Sequence, residues 1–131
     1  MEEYIVLIPV IGPKMYVATR DINENGSTPL HLDVTSAVNI LVHSSAPDPQ
    51  TPGALWHIYQ PEDSLRIRTY LREYLLRDGQ PMDVEDPIHA RQTYLTRSMR
   101  SELEAMGIFA FEIYQKLGEA VFIPAGCSHQ V

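Results

Sequence analysis

Gly118-Glu119-Ala120-Val121-Phe122-Ile123-Pro124-Ala125-Gly126-Cys127-Ser128-His129 is the stretch on which the fold turns. Leu117-Gly118 is a turn signal, and Glu119 to Pro124 follows at strand length and strand period. Pro124-Ala125-Gly126 closes that strand, and a histidine stands three residues beyond the turn. Taken alone, the turn is also compatible with a simple hairpin connection.

The second informative segment lies roughly 100 residues earlier, at His31-Leu32-Asp33. Leu30 to Asp33 alternates apolar and polar residues as a strand does, so side chains two apart emerge on one face. The imidazole of His31 and the carboxylate of Asp33 then converge. A lone His-x-Asp is common by chance, and a single strand histidine is usually structural. Placing His129 beside the pair makes a more specific set, two histidines and one carboxylate. That is the facial arrangement of non-heme Fe(II) oxygenases, with coordination positions left for a bidentate co-substrate and dioxygen. Ligands so far apart in sequence suit a jelly roll, whose neighbouring inner strands come from distant segments.

Further strands are predicted at Tyr4 to Pro9, Lys14 to Ala18, Val38 to His43, Ala54 to Tyr59 and Phe109 to Gln115. Val38 to His43 reads as a buried strand because its apolar run is nearly continuous. In Ala54 to Tyr59, Trp56 and Ile58 share one face and His57 and Tyr59 the other. The middle of the chain changes period. Leu65, Ile67 or Tyr70, Leu71, Tyr74 and Leu75 recur at helical spacing between Glu62 and Arg77, with Pro61 before and Gly79 after. A second helix is predicted from Thr96 to Met106, with Met99, Leu103 and Met106 on one face and Gly107 as its stop. Asp78 to Pro87 is a polar, acidic linker. The expected architecture is mainly β, a sandwich or barrel of which the jelly roll is one member, with a helical insert at about 61–107.

Composition agrees. The chain has 131 residues, enough for one domain, with 44% hydrophobic and 21% charged residues. Ten prolines favour turns and short elements over a helical bundle. A single cysteine, Cys127, excludes a disulfide framework or a cysteine zinc finger within the chain. The net charge of −7 argues against non-specific nucleic-acid binding and is compatible with a basic partner. The apolar run Tyr4 to Ile11 is too short to span a bilayer, and Glu2 and Glu3 replace the basic start of a signal peptide. An intracellular, reducing location is expected.

Ser27-Thr28-Pro29-Leu30-His31-Leu32-Asp33-Val34, followed by Ala37-Val38-Asn39, resembles the first metal-binding strand of Jumonji C (JmjC) domains. Gly53-Ala54-Leu55-Trp56-His57-Ile58-Tyr59 and Gly118 to Val131 are similar to the branch that demethylates lysine 9 of histone 3, and Gly12-Pro13-Lys14-Met15-Tyr16 and Asp86-Pro87-Ile88-His89 also fit it. The resemblance covers nearly the whole chain. It implies a double-stranded β-helix (cupin-like jelly roll) that binds Fe(II) and uses 2-oxoglutarate as co-substrate. It implies His31, Asp33 and His129 as metal ligands and catalytic centre, and Thr28 as the hydroxyl that holds the far carboxylate of 2-oxoglutarate. Asn39 is similar to an inward amide on the next strand. Many JmjC enzymes bring a lysine to the co-substrate from the strand after the Pro-rich loop. Ala54 to Tyr59 holds none, so Lys14 or an ordered side chain elsewhere is expected to replace it, or co-substrate binding is weak.

The resemblance further implies oxidative demethylation of a methyl-lysine on a basic histone tail, in the nucleus, with no nucleic acid or membrane as direct partner. Family members continue past the third ligand, so residues 1–131 are expected to form a JmjC-like domain incomplete on its C-terminal side. A non-catalytic binding or scaffold module, or an inactive fragment, is the alternative, and a small cupin-type metal protein is a third. Trp56 reads as core or pocket wall. His43, His57 and His89 have no partner at metal-ligand spacing. Arg66, Arg68, Arg72 and Arg77 read as the solvated face of a helix, and Cys127 as a packing residue.

Overall fold

A computed structural model describes residues 12–79 and 86–131. Among these residues, five short strands and two helices follow one another. They are β1 (Ala37–Ile40), β2 (Ala54–Ile58), a 3-10 turn at Pro61–Asp63 leading into α1 (Ser64–Arg77), α2 (Arg97–Ala105), β3 (Phe111–Gln115), β4 (Ala120–Ile123) and β5 (His129–Gln130). All strand pairs are antiparallel. β1 pairs with β4, and β2 lies between β3 and β5 in a second sheet. A single bridge from His31 to His129 extends that second sheet beyond β5. The two sheets and their crossed connections are the jelly-roll arrangement expected from the sequence.

Two apolar clusters hold these layers. Trp56 and Ile58 of β2 meet Val121 and Ile123 of β4 and Cys127 between the sheets. On the opposite face of β2, Tyr59 joins Leu30, Ile88 and Leu95 under the helices, with Ile67, Tyr70 and Leu71 of α1 and Met99 and Leu103 of α2. The alternation of β2 therefore sends Trp56 and Ile58 one way and His57 and Tyr59 the other, as read from its sequence.

Helix ends follow local chemistry. The Thr96 side chain caps α2 by accepting the Met99 N–H at 3.3 Å. Gly107 ends it at φ +82, a conformation open to glycine, so that Ile108 N–H reaches the Leu103 carbonyl at 2.9 Å. Met106, expected on the packed face, is exposed at this cap. The buried face of α1 is Ile67, Tyr70 and Leu71, while Leu65 is 71% exposed. Leu65 falls outside the stripe because residues 67, 70, 71 and 74 share one face.

Three strand expectations change. Lys14 to Ala18 is exposed, irregular backbone, with Met15, Tyr16 and Val17 facing solvent. Apolar composition makes a strand only where a neighbouring strand completes the ladder, and none among the described residues does so here. Val38 to His43 shortens to β1. It is not buried, because Val38 and Ile40 face outward while Ala37 and Asn39 lie opposite the buried Ile123 and Val121. Leu30 to Asp33 contributes one bridge instead of a strand. The predicted strand at Tyr4 to Pro9 lies outside the described residues, as do positions 80–85 of the acidic linker.

Candidate metal centre

His31 and His129 meet because the chain pairs them directly. His31 N–H donates to the His129 carbonyl at 3.0 Å, and His129 N–H donates back at 2.9 Å. Opposed residues of an antiparallel pair project on the same side, so the two rings lie together, centroids 4.2 Å apart. Nearby, Thr28 and Val131 exchange backbone bonds of 3.1 and 3.2 Å. Between these two pairs, Pro29 and Leu30 oppose Gln130 alone, which makes a bulge. Proline suits it, having no N–H to leave unpaired, and the Leu30 N–H turns away to the Thr93 carbonyl at 2.9 Å.

His129 lies opposite Ile58, and Gln130 opposite His57. Register thus puts the His129 ring between the sheets, near-parallel to the Trp56 indole at 6.1 Å, and turns Gln130 toward the helices. The turn before β5 needs Gly126 at φ +82. Gly126 N–H donates to the Asp33 carbonyl at 3.3 Å, and this places the acidic residue beside the third side chain.

The three side chains offer ligand atoms within 4.8 Å of one another. Asp33 Oδ2 lies 3.6 Å from His31 Nε2 and 3.7 Å from His129 Nε2, beyond hydrogen-bond range. Each ring is oriented through its other nitrogen. His31 Nδ1 meets the Pro29 carbonyl at 2.9 Å, and His129 Nδ1 meets the Cys127 carbonyl at 3.0 Å. A carbonyl accepts only, so both Nδ1 atoms donate and both Nε2 atoms are turned toward Asp33. Burial holds His129 below the ordinary histidine range and so favours the neutral, ligating form. The Cys127 carbonyl and Asp33 oppose that shift, while His31 and Arg91 reinforce it. Two imidazoles oriented through their Nδ1 atoms and one carboxylate are a donor set that fits a divalent transition metal.

The other expected site residues are placed differently. Thr28 is half-buried on the ladder beside His31. Asn39 faces inward, and its side-chain and backbone oxygens accept from Gln115 Nε2 at 3.3 and 3.2 Å. Gln115 in turn accepts the Trp56 indole N–H at 2.8 Å. Asn39 is thereby linked through Gln115 and Trp56 to the His129 ring. Lys14 is exposed, and no hydrogen bond or ion pair joins it to the cluster among the described residues. His43 and His89 are exposed, and His57 is buried on the helix side of β2. Burial and the Arg100 charge hold His57 below the ordinary range, while Glu112 opposes them.

Two residues were not legible as site residues. Gln115 is one of two polar residues in β3 and is followed by Lys116, and its burial to 1% exposure is a tertiary fact. Arg91 donates from Nη2 to Asp33 Oδ1 at 3.0 Å, across a separation with no sequence signal.

Comparison with known proteins agrees with this arrangement. Residues 23–131 match the family described as "JmjC domain, hydroxylase". The chain is 37% identical over 158 residues to lysine-specific demethylase 3A of Gallus gallus, covering 94% of this chain and 12% of that protein. It is 38% identical over 159 residues to the Homo sapiens protein of the same name, covering 94% and 12%. With lysine-specific demethylase 3 of Drosophila melanogaster it shares 36% identity over 158 residues, covering 94% and 18%. The chain thus spans less than a fifth of the length of these relatives.

Proposed function

The chain belongs to the JmjC domain family, and from that premise we propose that it is an Fe(II)- and 2-oxoglutarate-dependent dioxygenase that removes methyl groups from lysine side chains of histone tails. The observation that carries this reading is the convergence of two Nε2 atoms on one carboxylate oxygen. His31, Asp33 and His129 hold the metal. When bound, Fe(II) supplies the activation of dioxygen that couples decarboxylation of 2-oxoglutarate to hydroxylation of the methyl group.

The protein's own residues supply the rest. The reciprocal bonds between His31 and His129 fix the distance between the two rings. The Pro29 and Cys127 carbonyls orient them through Nδ1. Trp56 shields the His129 ring from water on the side of the sheet interior. Thr28 holds the far carboxylate of 2-oxoglutarate, and Asn39 and Lys14 assist co-substrate binding. The net charge of −7 suits a basic histone-3 tail methylated at lysine 9. The relatives are lysine-specific demethylases by name, which supports this substrate class and a nuclear location.

The test is anaerobic titration with Fe(II) and then 2-oxoglutarate, followed by the charge-transfer band of the chelate. Formaldehyde release from a lysine-9 methylated histone-3 peptide in air completes it. A band together with formaldehyde supports the enzyme. No band in the wild-type chain sinks the reading. One observation favours a second reading as a non-catalytic JmjC module: β2 carries no lysine to meet the co-substrate. That reading expects metal binding with no formaldehyde.

A further inference from the structure

We propose that Arg91 is a positioning residue that decides which oxygen of Asp33 faces the metal and keeps that carboxylate from chelating it with both. The inference rests on the reading of His31, Asp33 and His129 as metal ligands. Asp33 divides its two oxygens. Oδ1 accepts from Arg91 Nη2 at 3.0 Å, and Oδ2 faces both imidazole Nε2 atoms at 3.6 and 3.7 Å. The oxygens of a free carboxylate are equivalent and exchange by rotation about Cβ–Cγ. A charge-assisted bond to one of them removes that equivalence. With Oδ1 committed to the guanidinium, only Oδ2 is offered inward. A carboxylate that used both oxygens would fill a position that a bidentate co-substrate needs.

Arg91 is delivered by a built turn. Asp86 Oδ1 accepts the Ile88 and His89 N–H groups at 3.0 Å each, and the Ala90 N–H donates to the Asp86 carbonyl at 3.0 Å. Asp86 Oδ2 pairs with Arg68 Nε of α1 at 2.9 Å, and Ile88 is fully buried in the helix-side core. Arg91 then adopts φ +55, a left-handed conformation that non-glycine residues rarely use, with its N–H on the Ile88 carbonyl at 3.2 Å. Such a backbone persists where its surroundings over-determine it, and such positions cluster at functional sites. The Arg91 side chain is 57% exposed, so its ion pair adds little to folding. Its consequence is therefore expected at the metal and not in stability.

The test compares the wild-type chain with Arg91→Ala, Arg91→Lys and His31→Ala, using Co(II) as an air-stable probe. Co(II) affinity and donor number are read from its absorption, 2-oxoglutarate affinity from titration of the Co(II) form, and folding from the melting temperature. Arg91→Ala is expected to bind Co(II) as tightly as wild type or more tightly, with a changed Co(II) spectrum. Its affinity for 2-oxoglutarate should fall roughly 10-fold, the scale of a lost partner to a metal ligand. Arg91→Lys, which can still donate to Oδ1, should recover most of that loss. An Arg91→Ala protein with unchanged spectrum and 2-oxoglutarate affinity overturns the inference. So does a joint fall of both affinities with the melting temperature, which marks a structural role. Wild type and His31→Ala with the same Co(II) affinity would instead overturn the ligand reading, and the inference with it.

Discussion

His31 and His129 exchange both of their backbone hydrogen bonds, at 3.0 and 2.9 Å, and their rings stand 4.2 Å apart. The position of one imidazole is thus set by the backbone of the other. His31→Ala and Asp33→Ala should each weaken Fe(II) or Co(II) binding by at least about 100-fold, more than loss of an outer partner costs. Isothermal titration checks this. The melting temperature of the metal-free protein should barely move for His31→Ala, because the backbone bridge remains. Retained metal affinity in either variant would remove that residue from the site.

Thr28 tests the co-substrate assignment separately. Thr28→Val keeps the shape of the side chain and the backbone bonds to Val131. Losing one hydrogen bond to a charged group, worth roughly 1.5–3 kcal/mol, should raise the 2-oxoglutarate requirement about 10- to 150-fold. Metal affinity should stay nearly constant. An unchanged 2-oxoglutarate dependence leaves Thr28 as a turn residue before Pro29.

Gln130 anchors the strand that carries His129. Its Oε1 accepts the Leu95 N–H at 2.8 Å, and its Nε2 donates to the Leu95 carbonyl at 3.0 Å. Both residues are fully buried. In Gln130→Ala the Leu95 carbonyl keeps Arg100 Nη1 at 2.8 Å, but the N–H has no remaining partner. An orphaned buried donor costs about 1–3 kcal/mol, which chemical denaturation should read as a lower midpoint with an unchanged slope. Wild-type stability in this variant would show that water or a rearranged neighbour satisfies Leu95.

His57 makes folding sensitive to acid. Burial, with Arg100, holds it below its ordinary value of 6.5, and Glu112 only partly offsets them. In the unfolded chain His57 takes up a proton as pH falls through that value, while in the folded chain it does so only at lower pH. The unfolded state then binds more protons, so stability falls with falling pH by up to about 1.4 kcal/mol per unit. Between about pH 7.5 and about pH 5.5 the wild type should lose more stability than His57→Gln, measured by denaturation of the metal-free proteins. Equal losses would exclude His57 as the source.

Much of this protein was legible in its sequence because the signals were local. The helix from Ser64 to Arg77, the Thr96 cap and the Gly107 stop depend on residues within a turn or two. The alternation of Trp56 and Ile58 against His57 and Tyr59 is a property of any extended chain. The convergence of His31, Asp33 and His129 was expected for a different reason: few donor combinations suit one metal, and the motifs that carry them resemble a known family. What tertiary structure alone decided was pairing. Lys14 to Ala18 has strand composition but finds no partner among the described residues, and the apolar run from Val38 puts half its side chains outward. Arg91 on Asp33 and Gln115 between Asn39 and Trp56 join residues far apart in sequence through side chains of unremarkable type. The one-residue bulge opposite Gln130 likewise emerges only when two distant segments are laid side by side. Periodicity states which face a residue occupies. It does not state what lies across from that face, and that is fixed only when the whole chain closes on itself.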